Sequence, residues 1–238
     1  MPFQTRIKVC GVTRTEDVVA AVDLGVDAVG LNFHPASPRF VEAVQAAELL
    51  RAVPPFVTGV GLFVDASAER IAAVLEAVPL GLLQFHGDET EDACRRWQRP
   101  YLKVLRMRPE LDVARSLGAW PSAAGMLLDA YRPGVPGGTG ETFDWVRIPA
   151  TRPRPLVLAG GLTAENVEAA ILAVRPDAVD VSGGVESAPG VKDAGRMAAF
   201  VAAVRRADAR LAAEQEHEEA AATAGNGHAG TTRQEPRT

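Results

Sequence analysis

A thiol and a carboxyl group each stand at the end of a short strand-like segment of this 238-residue sequence. Cys10 ends the first such segment, and Asp129 directly follows the apolar residues 126–128. An ionised thiol can accept a proton, and a carboxyl group that burial keeps protonated can donate one. The pair could therefore act as base and acid. The alternatives are a cysteine that only packs and a carboxylate that is structural or caps a helix.

Lys8 precedes Cys10 by two positions. Side chains at this spacing lie on the same face of a β-strand. If both side chains face inward, the ammonium group favours the ionised thiol. We therefore expect Lys8 and Cys10 to interact.

Other polar residues and glycines also follow apolar segments. Each of them also has a purely structural explanation, because an arginine commonly forms a surface salt bridge and glycine turns are frequent. The residues in question are Arg39, His86, Gly160, Gly161, Asp180, Ser182 and Gly183.

Short β-branched segments alternate with amphipathic Ala- and Leu-rich segments along the chain, which is typical of parallel strands joined by helices. Thr13 with Glu16, and Asp88 with Glu91, predict capping boxes at two of the helices. Strands are predicted at 6–12, 27–33, 57–64, 81–86, 101–107, 125–130, 155–161 and 177–183. Helices are predicted at 16–24, 42–52, 67–78, 91–97, 113–117, 164–174 and 193–206, with a weaker helical pattern in the sixth connection.

Eight successive strand–helix units favour a single (β/α)8 TIM barrel of the α/β class over an open doubly wound sheet. The barrel is predicted to span residues 1–206. Residues 207–238 are rich in Ala, Glu, Gly and Thr, which predicts a helix extension and, from Thr223 onward, a disordered tail. His217 and His228 are expected to be solvated there rather than to bind metal. In such a barrel, chemistry is expected at the carboxyl ends of the strands.

The composition sets limits on function and location. With 47% hydrophobic residues and a formal net charge of -5, the chain can build a core and lacks the basic excess of a nucleic-acid binder. No apolar run approaches the roughly 20 residues that span a bilayer, and no secretory signal pattern precedes the first strand. Cys10 and Cys94 alone indicate neither a disulfide framework nor a zinc site, so we expect a cytoplasmic protein without metal.

The order of the motifs at the strand ends resembles one known family. A single glycine turn would be weak support, whereas the ordered series is specific. The series is Lys8-Val9-Cys10-Gly11, Ser37-Pro38-Arg39, Gln84-Phe85-His86-Gly87, Leu128-Asp129, Gly137-Gly138-Thr139-Gly140, Ala159-Gly160-Gly161-Leu162 and Asp180-Val181-Ser182-Gly183-Gly184-Val185-Glu186. From residue 6 to about residue 206 the chain resembles the phosphoribosylanthranilate isomerases.

The resemblance implies a cofactor-free Amadori rearrangement in tryptophan biosynthesis, in which N-(5-phosphoribosyl)anthranilate becomes 1-(2-carboxyphenylamino)-1-deoxyribulose 5-phosphate. Cys10 resembles the family's general base and Asp129 its general acid. Arg39 resembles the residue that meets the anthranilate carboxylate, a partner that suits a planar guanidinium. The implied partner is a small phosphorylated substrate, and the protein is expected to be a monomer or a homodimer.

The resemblance places the substrate phosphate at backbone amides of Gly160, Gly161, Ser182 and Gly183, near a short extra helix. Gly183 departs from the family pattern, which commonly has a second serine there, so one hydroxyl contact is in doubt. Asp180 is expected to face the sugar hydroxyls or to be structural.

His86 is expected to support the catalytic groups or simply to fill the site. Cys94 is expected to be a packed bystander in a helix. The glycine-rich loop at 134–142 is expected either to close over the substrate or to be only a flexible connection.

Two alternatives remain at this point. A neighbouring sugar-phosphate isomerase, such as the histidine-pathway ProFAR isomerase or its bifunctional relatives, resembles this chain in architecture. These enzymes resemble one another in using a pair of aspartates, one of them at the first strand, where this chain has Cys10. A non-catalytic barrel that binds phosphorylated ligands would keep the glycine loops but would need no acid and base.

Overall fold

Eight parallel strands close into a barrel in the computed structural model, which describes residues 4–130 and 143–226. The strands follow one another around the barrel in chain order, and the eighth pairs with the first. They are β1 (Arg6–Cys10), β2 (Ala28–Asn32), β3 (Thr58–Phe63), β4 (Leu82–Phe85), β5 (Tyr101–Arg106), β6 (Gly125–Asp129), β7 (Leu156–Leu158) and β8 (Ala178–Val181). The predicted closed barrel is confirmed.

Helices connect the strands on the outside of the barrel. They are α1 (Thr15–Asp23), α2 (Ala43–Leu50), α3 (Ala68–Ala77), α4 (Glu91–Arg95), α5 (Val113–Gly118), α6 (Val167–Val174) and α7 (Ala194–Asn226). In the described part of the sixth connection, the helical element is a 3-10 turn, Trp145–Arg147. The predicted loop at 134–142 lies outside the described residues.

Both predicted capping boxes are wrong. Thr13 precedes α1 by two residues, and its hydroxyl donates to the carbonyl of Gly190 at 2.6 Å instead. Asp88 also lies outside its helix, and α4 is capped by the hydroxyl of Thr90, which accepts from the Ala93 N–H at 3.3 Å. A tertiary contact in the first case and a neighbouring hydroxyl in the second replace the local pattern.

The strands separate two sets of buried side chains. Ile7 and Val9 of β1 belong to the main core, which lies between the strands and the helices. A smaller apolar cluster containing Leu102, Val104 and Leu127 fills the inside of the barrel. Because side chains alternate along a strand, the neighbours of the main-core residues face inward. Lys8, Gln84, Asp129 and Asp180 lie in this inward-facing register, whereas Lys103 of β5 shares the outward-facing register of Tyr101.

A hairpin follows β8 and joins it to the last helix. It is formed by β9 (Glu186–Ala188) and β10 (Val191–Lys192), which are antiparallel. A short 3-10 helix, Gly183–Val185, connects β8 to this hairpin. The family resemblance implied the short helix, whereas the hairpin was not predicted.

Helix α7 packs on the barrel beyond residue 206, where the sequence pattern placed the end of the barrel. Ala207 and Leu211 are buried, and the Asp208 carboxylate accepts a hydrogen bond from the buried backbone N–H of Thr5 at 3.0 Å. The helix continues to Asn226, past the predicted start of the tail at residue 223. His217 is exposed as expected, and His228 lies outside the described residues.

No helix in residues 4–130 and 143–226 combines the length and the apolar character needed to cross a membrane.

Candidate active site

One cavity of about 390 Å³ lies at the carboxyl ends of the barrel strands. It receives the end of the first strand, the loops after the second, seventh and eighth strands, and inward-facing residues of the fourth and sixth strands. Every residue that the sequence predicted for the site lines it: Cys10, Arg39, His86, Asp129, Gly160, Gly161, Asp180, Ser182 and Gly183. The structure therefore brings the predicted set together, while the individual roles stay predictions.

Cys10 and Lys8 both lie inside the barrel, as their spacing predicted. The Lys8 ammonium forms a buried ion pair with Asp180 of β8, with Nζ and Oδ1 at 2.8 Å. Both Lys8 and Cys10 pack against Gly30 of β2, where any Cβ would collide with the Cys10 sulfur. Although burial opposes the charge, Asp180 and Cys10 together raise the pKa of Lys8, so this lysine stays protonated.

The thiol of Cys10 lies in a low-dielectric site next to charges of both signs. Burial raises its pKa, and the positive charge of Lys8 offsets only part of this effect. Asp180 adds to the increase because its negative charge opposes the thiolate. The thiol is therefore protonated at neutral pH in the substrate-free protein, and an ionised base must be formed against this preference.

Asp129 is hydrogen-bonded to His86 inside the barrel. Its Oδ2 lies 3.1 Å from Nε2 of His86, and Nδ1 of His86 lies 3.4 Å from Nε2 of Gln84. All three side chains are buried. If the Gln84 amide donates to Nδ1, the imidazole is neutral and donates from Nε2 to the carboxylate. His86 thus contacts the predicted acid directly and can stabilise the carboxylate that remains after proton donation.

Two glycines after β7 hold a backbone shape that other residues rarely adopt. Gly160 and Gly161 have φ angles of 85° and 64°. A Cβ at Gly160 would lie 2.3 Å from the backbone nitrogen of Ala130, so this loop also needs glycine for close packing. The N–H groups of Gly160 and Gly161 have no hydrogen-bond partner among the described residues, so both are available to an anion.

The loop after β8 packs directly against the loop after β7. A Cβ at Gly184 would lie 2.0 Å from the carbonyl oxygen of Leu162. Ser182 and Gly183 lead into the short 3-10 helix, whose first N–H groups lack partners within the helix. The two loops together form a concave surface of backbone donors that suits a phosphate group.

Arg39 lies in the cavity wall with its guanidinium already held by a carboxylate. Nε and Nη2 donate to the two oxygens of Glu186 at 2.8 and 2.7 Å. The Arg39 side chain is 15% exposed and that of Glu186 only 5%. Although burial raises the pKa of Glu186, hydrogen bonds from Arg39 and Lys192 hold it below its usual range, so the carboxylate is ionised.

A family model and curated relatives of high identity point to one family. The family described as N-(5'-phosphoribosyl)anthranilate (PRA) isomerase matches residues 7–203. The chain belongs to this family. A relative from Pseudomonas aeruginosa, named N-(5'-phosphoribosyl)anthranilate isomerase, is 58% identical over 200 residues, which cover 84% of this chain and 95% of the relative.

Solved structures of the PRA isomerase family share the fold. The enzyme from Thermotoga maritima is 40% identical, with a TM-score of 0.79, over 85% of this chain and 99% of that chain. A second phosphoribosyl anthranilate isomerase structure, a complex with reduced 1-(o-carboxyphenylamino)-1-deoxyribulose 5-phosphate, is 36% identical with a TM-score of 0.73 over the same shares. The barrel of this chain therefore corresponds to almost the whole length of these proteins.

Two residues of this PRA isomerase family member reach the site without a role predicted from sequence. Glu186 was part of a quoted motif, and Lys192 follows it by six residues. Lys192 is buried, and its Nζ donates to Glu186 Oε1 at 2.8 Å, to the Cys10 carbonyl at 2.5 Å and to the Ser182 carbonyl at 3.2 Å. A buried lysine is rare unless it is paired, but burial was not visible before the hairpin was known.

Proposed function

We propose that this protein converts N-(5'-phosphoribosyl)anthranilate to 1-(2-carboxyphenylamino)-1-deoxyribulose 5-phosphate in tryptophan biosynthesis, with Asp129 as general acid and Cys10 as general base. Family membership supports the reaction. The ligand in the related complex is a reduced form of the same product, which supports a phosphorylated aminoketose as the ligand here.

The order of the strands is the observation that carries the assignment of acid and base. Asp129 ends β6, Cys10 ends β1, and β7 and β8 lie between these strands around the barrel. The glycine loops proposed to bind the phosphate follow β7 and β8. A ribose held by its phosphate at these loops thus has the carboxyl group on one side and the thiol on the other.

The reaction then needs two proton transfers at the sugar. Asp129 gives its proton to the ring oxygen as the bond from this oxygen to C1 breaks, and an iminium forms between C1 and the anilino nitrogen. The Cys10 thiolate removes the proton from C2, and the electron pair of the broken C2–H bond forms the C1–C2 double bond of the enolamine. Protonation at C1 and loss of the hydroxyl proton at C2 give the aminoketose. His86 donates to the Asp129 carboxylate left by the first step.

A parallel turnover assay with phosphoribosylanthranilate and the histidine-pathway isomerase substrate tests the proposed reaction. We expect turnover of the first compound. Turnover of the histidine-pathway substrate alone would favour the neighbouring isomerase, and absence of turnover with retained binding would favour a non-catalytic barrel.

Substitution of the two proton-transferring residues tests their roles. We expect Cys10→Ala and Asp129→Asn each to lower kcat by about 10²-fold or more, because each removes one proton transfer. Cys94→Ala is the matched control, since Cys94 is a buried thiol in α4 outside the cavity, and it should retain activity. Near-normal turnover of either site variant would remove that residue from the mechanism.

Several further statements stay predictions that accompany this function. They are a monomeric or homodimeric state, a cytoplasmic location, the absence of a cofactor and of a nucleic-acid partner, and a small phosphorylated molecule as the natural ligand. A role for Asp180 at the sugar hydroxyls also stays a prediction. The Lys8 ammonium, which forms an ion pair with Asp180, would compete with the sugar hydroxyls for this carboxylate.

A further inference from the structure

Arg39, Glu186 and Lys192 form a buried charge cluster at one side of the cavity. Glu186 is the central member: one of its oxygens accepts from both cations, and the other accepts from Arg39 alone. The Lys192 side chain is fully buried, whereas Arg39 also lines the cavity. We name these three residues the carboxylate clamp.

The clamp carries one net positive charge. The charge of Glu186 cancels one of the two cations, and Lys192 is too deeply buried to meet a ligand. The uncompensated charge is thus presented to the cavity by Arg39. Without Lys192, the Glu186 carboxylate would cancel Arg39 and repel a second carboxylate nearby.

The geometry of the guanidinium leaves a second binding edge. Glu186 occupies the edge formed by Nε and Nη2. A guanidinium carries five N–H donors in a plane, so the edge formed by Nη1 and the other Nη2 hydrogen is left for another planar acceptor. Glu186 fixes the rotation of this plane because it holds two of the three nitrogens.

We propose that Glu186 and Lys192 are positioning residues that make Arg39 selective for a ligand with an aromatic carboxylate. Glu186 sets the orientation of the guanidinium, and Lys192 keeps Glu186 from cancelling its charge. This inference rests on the proposed function and on the expectation, from the family resemblance, that Arg39 meets the anthranilate carboxylate, and it adds the residues that determine this specificity.

Lys192 also connects the clamp to the rest of the site. Its ammonium bonds to the carbonyls of Cys10, at the end of β1, and of Ser182, in the loop after β8. The carboxylate clamp therefore has a fixed position relative to the proposed base and phosphate loop. A ligand that spans the site is therefore held at its carboxylate end by the carboxylate clamp and at its phosphate end by the loop, with the proposed base between them.

The test uses two probes and the substitution Glu186→Gln in the full-length protein. The probes are reduced 1-(o-carboxyphenylamino)-1-deoxyribulose 5-phosphate and the same compound without its ring carboxyl group, with Kd measured by calorimetry. The carboxylate preference is the ratio of the two Kd values. Glu186→Gln removes a negative charge but keeps the size of the side chain. If charge alone mattered, the carboxylated probe would bind more tightly to Glu186→Gln than to the unsubstituted protein.

We expect the opposite result. Because glutamine cannot hold both guanidinium nitrogens as a carboxylate does, the carboxylate preference should fall by about tenfold. An unchanged or increased preference overturns the positioning role of Glu186. Glu186→Asp keeps the charge but shortens the side chain, and it should also lower the preference. It serves as the second variant if Glu186→Gln does not fold.

Arg39→Ala separates failure of the Arg39 assignment from failure of the positioning roles, and the turnover assay tests the proposed function separately. If Arg39→Ala leaves the preference unchanged, Arg39 does not bind the carboxylate and this inference falls, whether or not the protein turns over phosphoribosylanthranilate. If Arg39→Ala abolishes the preference while Glu186→Gln keeps it, only the present inference is wrong. In the Arg39→Ala background, Glu186→Gln should have no further effect on the preference.

Lys192→Met tests the second positioning residue. We expect it to weaken the carboxylated probe more than the other probe, because Glu186 then cancels Arg39. Equal weakening of both probes would show that Lys192 only holds the two backbone carbonyls, and its part in specificity would be excluded.

Discussion

Cys10 illustrates how far a single residue's environment departs from what its chemistry requires. A general base must be ionised, whereas burial and Asp180 both raise the pKa of this thiol, with only partial compensation from Lys8. The resting protein therefore contains mostly thiol, which protects the residue from alkylation and oxidation. The fraction of thiolate is low until the pH approaches the raised pKa.

Cys10 should therefore be alkylated slowly by iodoacetamide at neutral pH and faster as the pH rises, because only the thiolate reacts. Lys8→Met removes both the positive charge and the hydrogen bond by which Lys8 lowers the pKa of Cys10, so the midpoint of this increase should move to higher pH. Mass spectrometry of the peptide that contains Cys10 measures the rate, and Cys94 provides the internal reference. A midpoint that stays in place or falls in Lys8→Met would show that Lys8 does not favour the thiolate.

Two contacts in the site show which residue pairs a sequence can predict. The inward position of Lys8 and Cys10 follows from the period of two along one strand. The contact between Arg39 and Glu186 joins residues 147 positions apart, and its formation depends on a hairpin whose strands are too short to give a periodic pattern. No local rule predicts such a partner, even when both residues belong to recognised motifs.

Among the elements, the loop after β7 places two demands on its sequence at one position. Gly160 needs both a positive φ and free space where a side chain would begin. Gly25 provides a comparison, because it also has a positive φ, of 76°, but has no atom within 4 Å of a Cβ position. A substitution at Gly25 would therefore introduce backbone strain alone, whereas one at Gly160 would introduce both backbone strain and steric overlap.

Gly160→Ala should weaken binding of the product analogue and destabilise the protein by more than Gly25→Ala, which costs about 1 kcal/mol from backbone strain alone. The overlap with Ala130 forces the loop to move, so its N–H groups lose their alignment toward the phosphate. Urea unfolding and calorimetry measure the two effects. Equal stability and equal affinity in the two variants would contradict this account of the loop.

The strands themselves were predicted well because each is a short, mostly apolar segment between helical segments, which is typical of a parallel sheet buried on both faces. Every predicted strand extends beyond the observed one, as at the seventh, which was predicted over 155–161 and is observed as Leu156–Leu158. At this strand the extra residues after Leu158 belong to the loop that follows, where Gly160 and Gly161 have positive φ angles. The elements were therefore predictable, and the start of the functional loops was not.

At the scale of the whole molecule, the two ends of the described barrel hold each other in place. The N–H of Thr5 donates to Asp208, and the carbonyl of Thr5 accepts from Arg205 at 2.8 Å. Leu211 adds a buried apolar contact from α7. We propose that the folded unit ends after these contacts rather than at residue 206. The composition of the chain changes after residue 206, but Asp208 and Leu211 still pack on the barrel.

Truncation tests this boundary. A chain that ends after Ala213 should keep the unfolding free energy of the full-length protein, because the side chains from there to residue 221 are exposed. A chain that ends after Arg206 should lose at least about 3 kcal/mol, since it lacks the Asp208 hydrogen bond and buried Leu211. Denaturant unfolding compares the two. Equal losses in both chains would show that residues 207–211 do not stabilise the barrel.

The pairing of β1 with β8 also has a consequence for synthesis on the ribosome. β1 is made first, yet its second neighbour emerges only some 170 residues later, when Ala178–Val181 has been translated. Until then one edge of the apolar sheet is open to other chains. The growing polypeptide is therefore prone to aggregate until β8 has emerged, and general chaperones that shield strand edges should bind it up to that stage.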